Sequence, residues 1–197
     1  MDTLFPLASF AFISTFTPGP NNMLLLASGM RFGFFHSLPH ILGIQIGIGL
    51  QLVLAVMGFS YILVEVPALN LTLKIFGSGY LLYLAWHLRP NQLQVNSPEE
   101  ARPFTFFQAL LFQFINPKAW IMTMTAGSLF LPNLSSHVLA TLVMCLVFNG
   151  IGASSSSSWV LAGGVIRHYL DSAFWRQTFS LTMLGLIVGT VVYLWWV

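Results

Sequence analysis

The stretch Thr17-Pro18-Gly19-Pro20-Asn21-Asn22 lies inside an apolar segment that is long enough to cross a bilayer. Each proline disfavours helical geometry in the residue before it, and Gly19 adds backbone freedom, so we expect the helix to split here. A proline also frees a carbonyl group that hydrocarbon cannot satisfy, and the break must therefore face protein or a wet cavity. The alternative is a purely structural kink that binds no substrate.

A second interruption, Asn116-Pro117-Lys118, lies in a similar apolar segment of the second half. Interrupted helices at matching places in two halves of a membrane chain point to a substrate site near the midplane. A helix that begins near Asn21 offers free N–H groups and a positive dipole end to a carboxylate, and the amides of Asn21 and Asn22 add donors and acceptors. The predicted substrate-binding or translocation residues are Thr17, Pro18, Gly19, Pro20, Asn21, Asn22, Asn116, Pro117 and Lys118.

Lys118 gives the strongest functional indication of any single residue in this set. A cation at membrane depth costs about 2.5–3.5 kcal/mol on insertion scales and is normally kept for pairing or transport. The sequence favours binding of a substrate carboxylate. Two alternatives stay open, namely a structural pairing with backbone carbonyls and snorkelling towards the membrane surface.

Composition places the whole chain in a bilayer. Its 197 residues are 56% hydrophobic and 6% charged, with a mean hydropathy of +0.81, whereas a soluble domain carries about 25% charged residues. Because roughly 20 apolar residues span the hydrocarbon, we predict an all-α, polytopic membrane helix bundle with six transmembrane helices. The predicted spans are 4–29, 38–64, 69–88, 104–131, 137–165 and 178–197.

The basic residues predict the orientation. Arg31, Arg89, Arg102, Arg167 and Arg176 all fall in the odd-numbered loops, which the positive-inside rule makes cytoplasmic. Both chain ends are then predicted to lie outside. No basic n-region precedes the first helix, and we expect that helix to be retained.

The long polar connection between the third and fourth spans divides the chain into two halves. We predict one integral membrane domain, 1–197, with a first three-helix half (1–89), a cytoplasmic linker (90–103) and a second three-helix half (104–197). Each half crosses an odd number of times, so the second is inverted relative to the first, with helices one and four broken. A constant offset supports this repeat by matching Gly79, Tyr83, Leu84 and Trp86 with Gly189, Tyr193, Leu194 and Trp196.

Uncharged polar residues inside the apolar stretches are candidates for lining a cavity. Gln45, Gln113 and Asn149 can either hydrogen-bond between helices or line a path. Ser154 opens a run of five serines, whose hydroxyls can bond the preceding carbonyls of their own helix. A wetted helix face and a low-complexity replacement without a role are equally good interpretations of this run.

Two functions from other classes remain open. His36 and His40 are four residues apart, a spacing that can bring two imidazoles to one metal ion, and an intramembrane metal-dependent enzyme is therefore one alternative. Pro39 lies between them, and no carboxylate completes the set. The other alternative is a membrane scaffold without transport activity. The single cysteine, Cys145, excludes an internal disulfide, and the basic residues form no nucleic-acid-binding patch.

The chain resembles the LysE/RhtB superfamily of small bacterial amino-acid exporters over nearly its full length. The resemblance rests on Thr17-Pro18-Gly19-Pro20-Asn21, on Gly79-Tyr80-Leu81-Leu82-Tyr83-Leu84-Ala85-Trp86 and on Asn116-Pro117-Lys118-Ala119. Within the family, the first motif together with Leu111-Phe112-Gln113-Phe114-Ile115-Asn116 looks most like the cysteine and O-acetylserine exporter branch. The five-serine run and Phe107-Gln108-Ala109, where many relatives have a glycine, depart from the family pattern.

The resemblance implies a secondary transporter of the bacterial plasma membrane, without a cofactor, that exports amino acids or their small derivatives. It further implies coupling to proton entry. From the two broken helices we expect alternating access, in which the two halves rock around one enclosed substrate. Membrane lipid is an expected partner, and a homodimer is one expected assembly. The acidic residues Asp2, Glu65, Glu99, Glu100 and Asp171 are all predicted at the membrane surface or in loops. The sequence therefore shows no buried carboxylate that would carry the proton.

Overall fold

The computed structural model describes residues 3–59, 65–87, 102–167 and 172–196, and all secondary structure in these ranges is helical. Helix α3 continues into a short π-helical segment, Ala55–Phe59. The helices are α1 (Leu4–Phe16), α2 (Pro20–His36), α3 (Leu38–Leu54), α4 (Pro67–His87), α5 (Phe106–Ile115), α6 (Pro117–Leu129), α7 (His137–Ile166) and α8 (Ala173–Trp196).

Both proline motifs end one helix and begin another. Helix α1 ends at Phe16 and α2 begins at Pro20, with Thr17 and Gly19 in extended conformations. Helix α5 ends at Ile115 and α6 begins at Pro117, with Asn116 extended between them. The first and fourth predicted spans are therefore each built from two shorter helices, which places unpaired backbone groups in the middle of the bundle.

Small residues bring the first interrupted helix close to α7. An added Cβ at Gly29 would clash with the carbonyl group of Val160, and one at Gly163 would clash with that of Leu26. Nearer the break, Ser155 of α7 contacts the backbone of α1. Residue numbers rise together from the contact of Thr15 with Ser155 to that of Leu26 with Gly163, so the interrupted helix runs parallel to α7.

Helix α3 runs parallel to the second interrupted helix. An added Cβ at Gly43 would clash with the carbonyl oxygen of Phe106, and one at Gly47 would lie 2.5 Å from Cγ of Gln113. One turn further along, Gln51 donates from Nε2 to the carbonyl oxygen of Gln113 at 2.9 Å. The Gly43 to Gly47 spacing therefore serves close helix packing, as GxxxG spacings commonly do in membranes.

The two interrupted helices cross each other in opposite directions. Asn21 follows Thr17 along the chain, but its partner Gln113 precedes Lys118, the partner of Thr17. From one contact to the next, the residue number rises in the first interrupted helix and falls in the second. The two interrupted helices are therefore antiparallel where they meet.

The remaining corresponding helices also meet in opposite directions. Between α3 and α7, Gln45 donates to Ser156 at 3.2 Å, whereas the later Gly49 accepts from the earlier Cys145 at 3.9 Å. Between α4 and α8, Ser78 accepts from Trp195, whereas Leu81 packs in one cluster with the earlier Ile187. Helices α3 and α7 thus meet in the antiparallel sense, and so do α4 and α8.

The molecule presents apolar side chains outward and keeps polar ones inside. Large hydrophobic residues such as Phe5, Phe107 and Leu146 are more than two-thirds exposed. Buried polar residues include Gln51 and Gln113, both 0% exposed. An apolar outer surface of this extent suits contact with lipid.

Two continuous helical stretches of the described residues are long and apolar enough to cross a membrane, Leu38–Gly58 and His137–Ile166. Leu4–Phe16 and Phe106–Ile115 are shorter apolar helices, because the two breaks end them early. The prediction of six spans as an inverted repeat therefore remains a prediction.

Several predictions concern residues outside the described ranges. Most of the predicted linker 90–103 lies there, as do Asp2, Glu99, Glu100 and Asp171. The side chains of Leu84, Tyr193 and Leu194, which support the predicted repeat, are also outside the description.

Candidate functional site

Lys118 joins the two helix breaks. Its ammonium nitrogen Nζ donates to the carbonyl oxygen of Thr17 at 2.7 Å, to Oγ1 of Thr17 at 2.9 Å and to the carbonyl oxygen of Pro18 at 3.2 Å. The stem of the side chain passes Gly19, where an added Cβ would lie 2.7 Å from Cδ of Lys118. We call residues 17–22 and 116–118 the helix-break site.

The helix dipoles explain this position of the charge. Lys118 lies in the first turn of α6, where the positive end of the dipole disfavours a cation. The carboxyl end of α1 is negative, and its last carbonyl groups lack partners within the helix. By reaching Thr17 and Pro18, the ammonium satisfies carbonyl groups that hydrocarbon cannot satisfy. The observed contacts are those of the structural alternative, and binding of a substrate carboxylate stays a prediction.

Asn116 and Pro117 start α6 at the break. The side-chain Oδ1 of Asn116 accepts from the backbone N–H of Lys118 at 3.2 Å, which caps the helix. Pro117 takes the first helical position, where its missing N–H leaves no hydrogen bond unmade. The motif Asn116-Pro117-Lys118 thus fixes where α6 begins and which residue lies beside the first break.

Asn22 closes the carboxyl end of α1. Its Nδ2 donates to the carbonyl oxygen of Thr15 at 2.7 Å and to that of Thr17 at 2.8 Å. Ser155 of α7 donates from Oγ to the same Thr15 oxygen at 2.8 Å. The unpaired carbonyls of the first break are therefore held by an amide, a hydroxyl and the ammonium of Lys118.

A pair of amides links the two interrupted helices beside the lysine. Asn21 donates from Nδ2 to Oε1 of Gln113 at 2.8 Å, and Gln113 donates from Nε2 to Oδ1 of Asn21 at 3.1 Å. Gln113 also donates to the carbonyl oxygen of Ala109 at 2.9 Å. Because both residues use donor and acceptor at once, the pair fixes the register of the two helices.

The helix-break site opens on a small cavity of about 40 Å³, which we call the inner cavity. This volume holds roughly three water molecules and is too small for an amino acid. Its lining is mixed, and the larger apolar side chains in it include Ile44, Ile48 and Phe148. The polar side chains that line the inner cavity are Ser14, Thr15, Asn21, Asn22, Gln45, Asn116, Lys118, Ser155 and Ser156.

The structure gathers most of the predicted residues at one place. Asn21, Asn22, Asn116 and Lys118 line the inner cavity together with Gly19 and Gln45. Gln113 lies one contact away, as the partner of Asn21. Thr17 and Pro18 are exposed, whereas Pro20 and Pro117 are buried in the helix starts.

Two predicted lining residues lie elsewhere. Ser154 is exposed and donates from Oγ to the carbonyl oxygen of Gly150, four residues earlier on the same helix. Asn149 contacts Gly49, and its buried Oδ1 has no partner. Sequence reasoning missed Ser155 and Ser156, which take the lining position instead, and the phase of α7 through the serine run was the signal that could have found them.

The two histidines proposed as metal ligands, His36 and His40, lie in different environments. His36 is exposed and its Nδ1 contacts the carbonyl oxygen of Phe32 at 3.1 Å. His40 is fully buried against the ring of Phe104, and both of its ring nitrogens lack a partner. Within residues 3–59, 65–87, 102–167 and 172–196, no three His, Cys, Asp or Glu residues are grouped as metal ligands.

A family model and individual relatives agree on the kind of protein that this chain is similar to. Residues 12–192 match the family model described as LysE type translocator. The chain is 32% identical to a cysteine/O-acetylserine efflux protein of Klebsiella pneumoniae, over 81% of each chain. It is 28% identical to the cysteine/O-acetylserine efflux protein of Escherichia coli K12, again over 81% of each chain. No solved structure gives a significant match.

Proposed function

Because the chain belongs to the LysE type translocator family, we propose that it exports cysteine, O-acetylserine or closely similar amino acids through the helix-break site. The family makes the protein an inner-membrane transporter and not an enzyme, which overturns the metal-dependent enzyme alternative. The observation that carries the proposal is the contact of the Lys118 ammonium with the Thr17 carbonyl. It brings the one charge of the described core to the point where the two helix breaks meet.

The helix ends at this point suit both charged groups of an amino acid. The carboxyl end of α1 presents carbonyl oxygens, which attract an ammonium group. The amino end of α2 begins after Gly19, and no side chain caps its first-turn N–H groups, which attract a carboxylate. Lys118 adds a positive charge on the same side. A zwitterion therefore finds an acceptor end and a donor end within one site.

The mechanism follows from the contacts that Lys118 makes without substrate. We propose that the substrate ammonium replaces the Lys118 ammonium at the carbonyls of Thr17 and Pro18. The lysine is then free to pair with the substrate carboxylate, which a site of low dielectric strengthens. Because the only acidic residue in the described ranges is the exposed Glu65, backbone carbonyls rather than a carboxylate side chain would bind the substrate ammonium.

The packing supports alternating access between two inverted halves. Three pairs of helices meet in the antiparallel sense, namely the two interrupted helices, α3 with α7, and α4 with α8. This is the relation expected if an in-plane twofold axis relates two three-helix halves that rock around one site. Six crossings, with both chain ends outside and the 90–103 linker inside, are part of the proposal. The inner cavity then represents a state that is nearly closed around the site.

The proposal extends to energy coupling and assembly. Export is proposed to be driven by proton entry, an expectation that comes from the family resemblance. The exposed apolar surface supports lipid contact. A homodimer remains a prediction.

The test of the function is counterflow in proteoliposomes. Vesicles that hold the purified protein are loaded with one unlabelled compound, and uptake of the same labelled compound is followed for cysteine, O-acetylserine, threonine, leucine and lysine. We expect accumulation of cysteine and O-acetylserine above protein-free vesicles, with lysine excluded because the site already holds a cation. Folded, inserted protein that moves none of the five contradicts the proposal and favours the scaffold alternative.

Proton coupling is tested in the same vesicles with a trapped pH indicator. Export of O-acetylserine that acidifies the compartment it leaves supports coupling. Export without any pH change overturns the coupling and leaves the transport function intact.

A further inference from the structure

A second, larger cavity shares Lys118 with the inner cavity. Its volume is about 360 Å³, and we call it the vestibule. Both helix breaks contribute to its walls through Pro18 and Pro117, and Lys118 lines both cavities. Helix α8 forms the opposite wall through residues 185–190. The charged residue of the helix-break site thus lines both a space that is too small for an amino acid and a space that can hold one.

The vestibule lies where glycines of α8 have free space around them, while α4 is in close contact with the second break. An added Cβ at Gly77 of α4 would lie 2.8 Å from the carbonyl oxygen of Ile115 and 2.9 Å from Cδ of Pro117. An added Cβ at Gly185 or Gly189 of α8 would meet no atom within 4 Å. Helix α4 therefore packs closely against the second break, whereas α8 leaves free space beside both breaks, where the vestibule lies.

We propose that the vestibule is a binding subsite on the export path, which takes a small zwitterionic amino acid with its carboxylate towards Lys118. This inference rests on the proposed function and adds where the substrate waits when the inner cavity is closed. The volume lies in the range of about 300–1,000 Å³ that is usual for small-molecule sites. The other candidate occupant is a lipid acyl chain. It is less favourable, because it would bury the charge of Lys118 against hydrocarbon.

The walls also limit the side chain of the substrate. Ile121 and Leu186 give an apolar surface beside the charged end, and Gly185 and Gly189 keep the space wide. An amino acid with a short, weakly polar side chain fits this combination. A second charge on the substrate would face apolar walls without a partner, which is costly in a low-dielectric site.

The first test fills the vestibule from the wall that has free space. Gly189→Trp and Gly185→Trp each introduce a large ring at a lining position where an added Cβ meets no atom within 4 Å. The matched control is Gly150→Trp on α7, because Gly150 is also exposed and an added Cβ there also meets nothing within 4 Å. We expect both vestibule variants to lower the initial rate of O-acetylserine counterflow by about tenfold or more, because the ring occupies the ligand volume. The control keeps the wild-type rate.

Monodispersity in detergent shows that each variant is folded. Folded vestibule variants that transport at the wild-type rate overturn the inference. Because wild type is measured in the same experiment, a wild type that transports nothing is a failure of the proposed function instead.

The second test asks whether the vestibule is wet and whether the substrate occupies it. Cys145 is the only cysteine, so Cys145→Ala gives a thiol-free background in which Thr190→Cys adds one reporter in the vestibule wall. We expect a charged, water-soluble thiol reagent to label this residue, and O-acetylserine, which has no thiol of its own, to slow the labelling. Absence of labelling indicates a lipid-filled cavity and overturns the inference. Labelling that O-acetylserine does not slow overturns it as well.

Discussion

The ammonium nitrogen of Lys118 lies 2.7 Å from the carbonyl oxygen of Thr17, a residue 101 positions earlier in the chain. This contact joins the two helix breaks, one from each half. It also sets the cation of one helix start against the negative end of another helix, which is the favourable arrangement of a charge and a dipole. The same two features, a cation and the carbonyl groups at a helix end, are what a zwitterion needs.

The Asn21 and Gln113 amides are expected to be energetically coupled. Each single alanine variant leaves a partly buried amide without its partner, while the double variant removes both. A double-mutant cycle of thermal stability in detergent should give a coupling of about 0.5–3 kcal/mol. As a control, Gln108→Ala combined with Asn21→Ala should be additive, because Gln108 is exposed and bonds only to Thr105 among the described contacts. Additivity for Asn21 and Gln113 would show that the pair does not hold the breaks together.

Gly19→Ala is expected to impair transport more than stability. Gly19 has an extended φ of −177°, which alanine adopts without strain, but the new methyl group would meet Cδ and Nζ of Lys118 at 2.7 and 2.9 Å. The end of a lysine side chain moves easily, so the fold survives while the ammonium leaves Thr17. Counterflow should fall about tenfold or more if that ammonium belongs to the site, which corresponds to about 1.4 kcal/mol. Gly150→Ala serves as the control. Equal counterflow rates for the two variants would show that transport does not depend on the contact between Lys118 and Thr17.

Neighbouring glycines on α7 should respond in opposite ways to substitution. An added Cβ at Gly163 would clash with backbone atoms of α2 at Leu26, whereas one at Gly164 meets nothing within 4 Å. Gly163→Ala is therefore expected to cost about 1–3 kcal/mol through overpacking, and Gly164→Ala is expected to be neutral or slightly stabilising. Thermal unfolding of both variants in the same detergent checks this. Equal midpoints for the two would be incompatible with the close parallel contact of α2 and α7.

Ser155 and Ser154 form a matched pair for the serine run. Ser155 is buried and donates to the Thr15 carbonyl at the first break, whereas Ser154 is exposed and bonds only within its own helix. Ser155→Ala should cost roughly 0.5–1.5 kcal/mol and change the apparent KM for the exported compound, because Ser155 lines the inner cavity. Ser154→Ala should leave stability and KM unchanged. A larger effect of Ser154→Ala would reverse the assignment of the two faces.

Much of the architecture follows from local chemistry that the sequence displays. The helix interruptions at Pro18 and Pro117 follow from proline geometry, and the cost of placing a cation at membrane depth singles out Lys118. These predictions need no knowledge of distant contacts.

The choice of partners could not be predicted in the same way. The sequence predicts free amides at Asn21 and Asn22, but Asn21 pairs with Gln113 and Asn22 with two carbonyls of α1. Each amide takes the partner that packing brings nearest, and Gln113 lies 92 positions away. The serine run offers five equivalent hydroxyls, and only the rotation of α7 against α1 decides that Ser155 and Ser156 face the cavity.

The most direct test of the central claim is O-acetylserine counterflow in proteoliposomes that hold wild type, Lys118→Ala or Lys74→Ala at equal protein content. Lys74 is the matched control, since it is the other lysine of the chain and lies on α4, outside the helix-break site. We predict accumulation by wild type and by Lys74→Ala, and none by Lys118→Ala. Accumulation by Lys118→Ala at the wild-type rate would contradict the assignment of the helix-break site as the transport site.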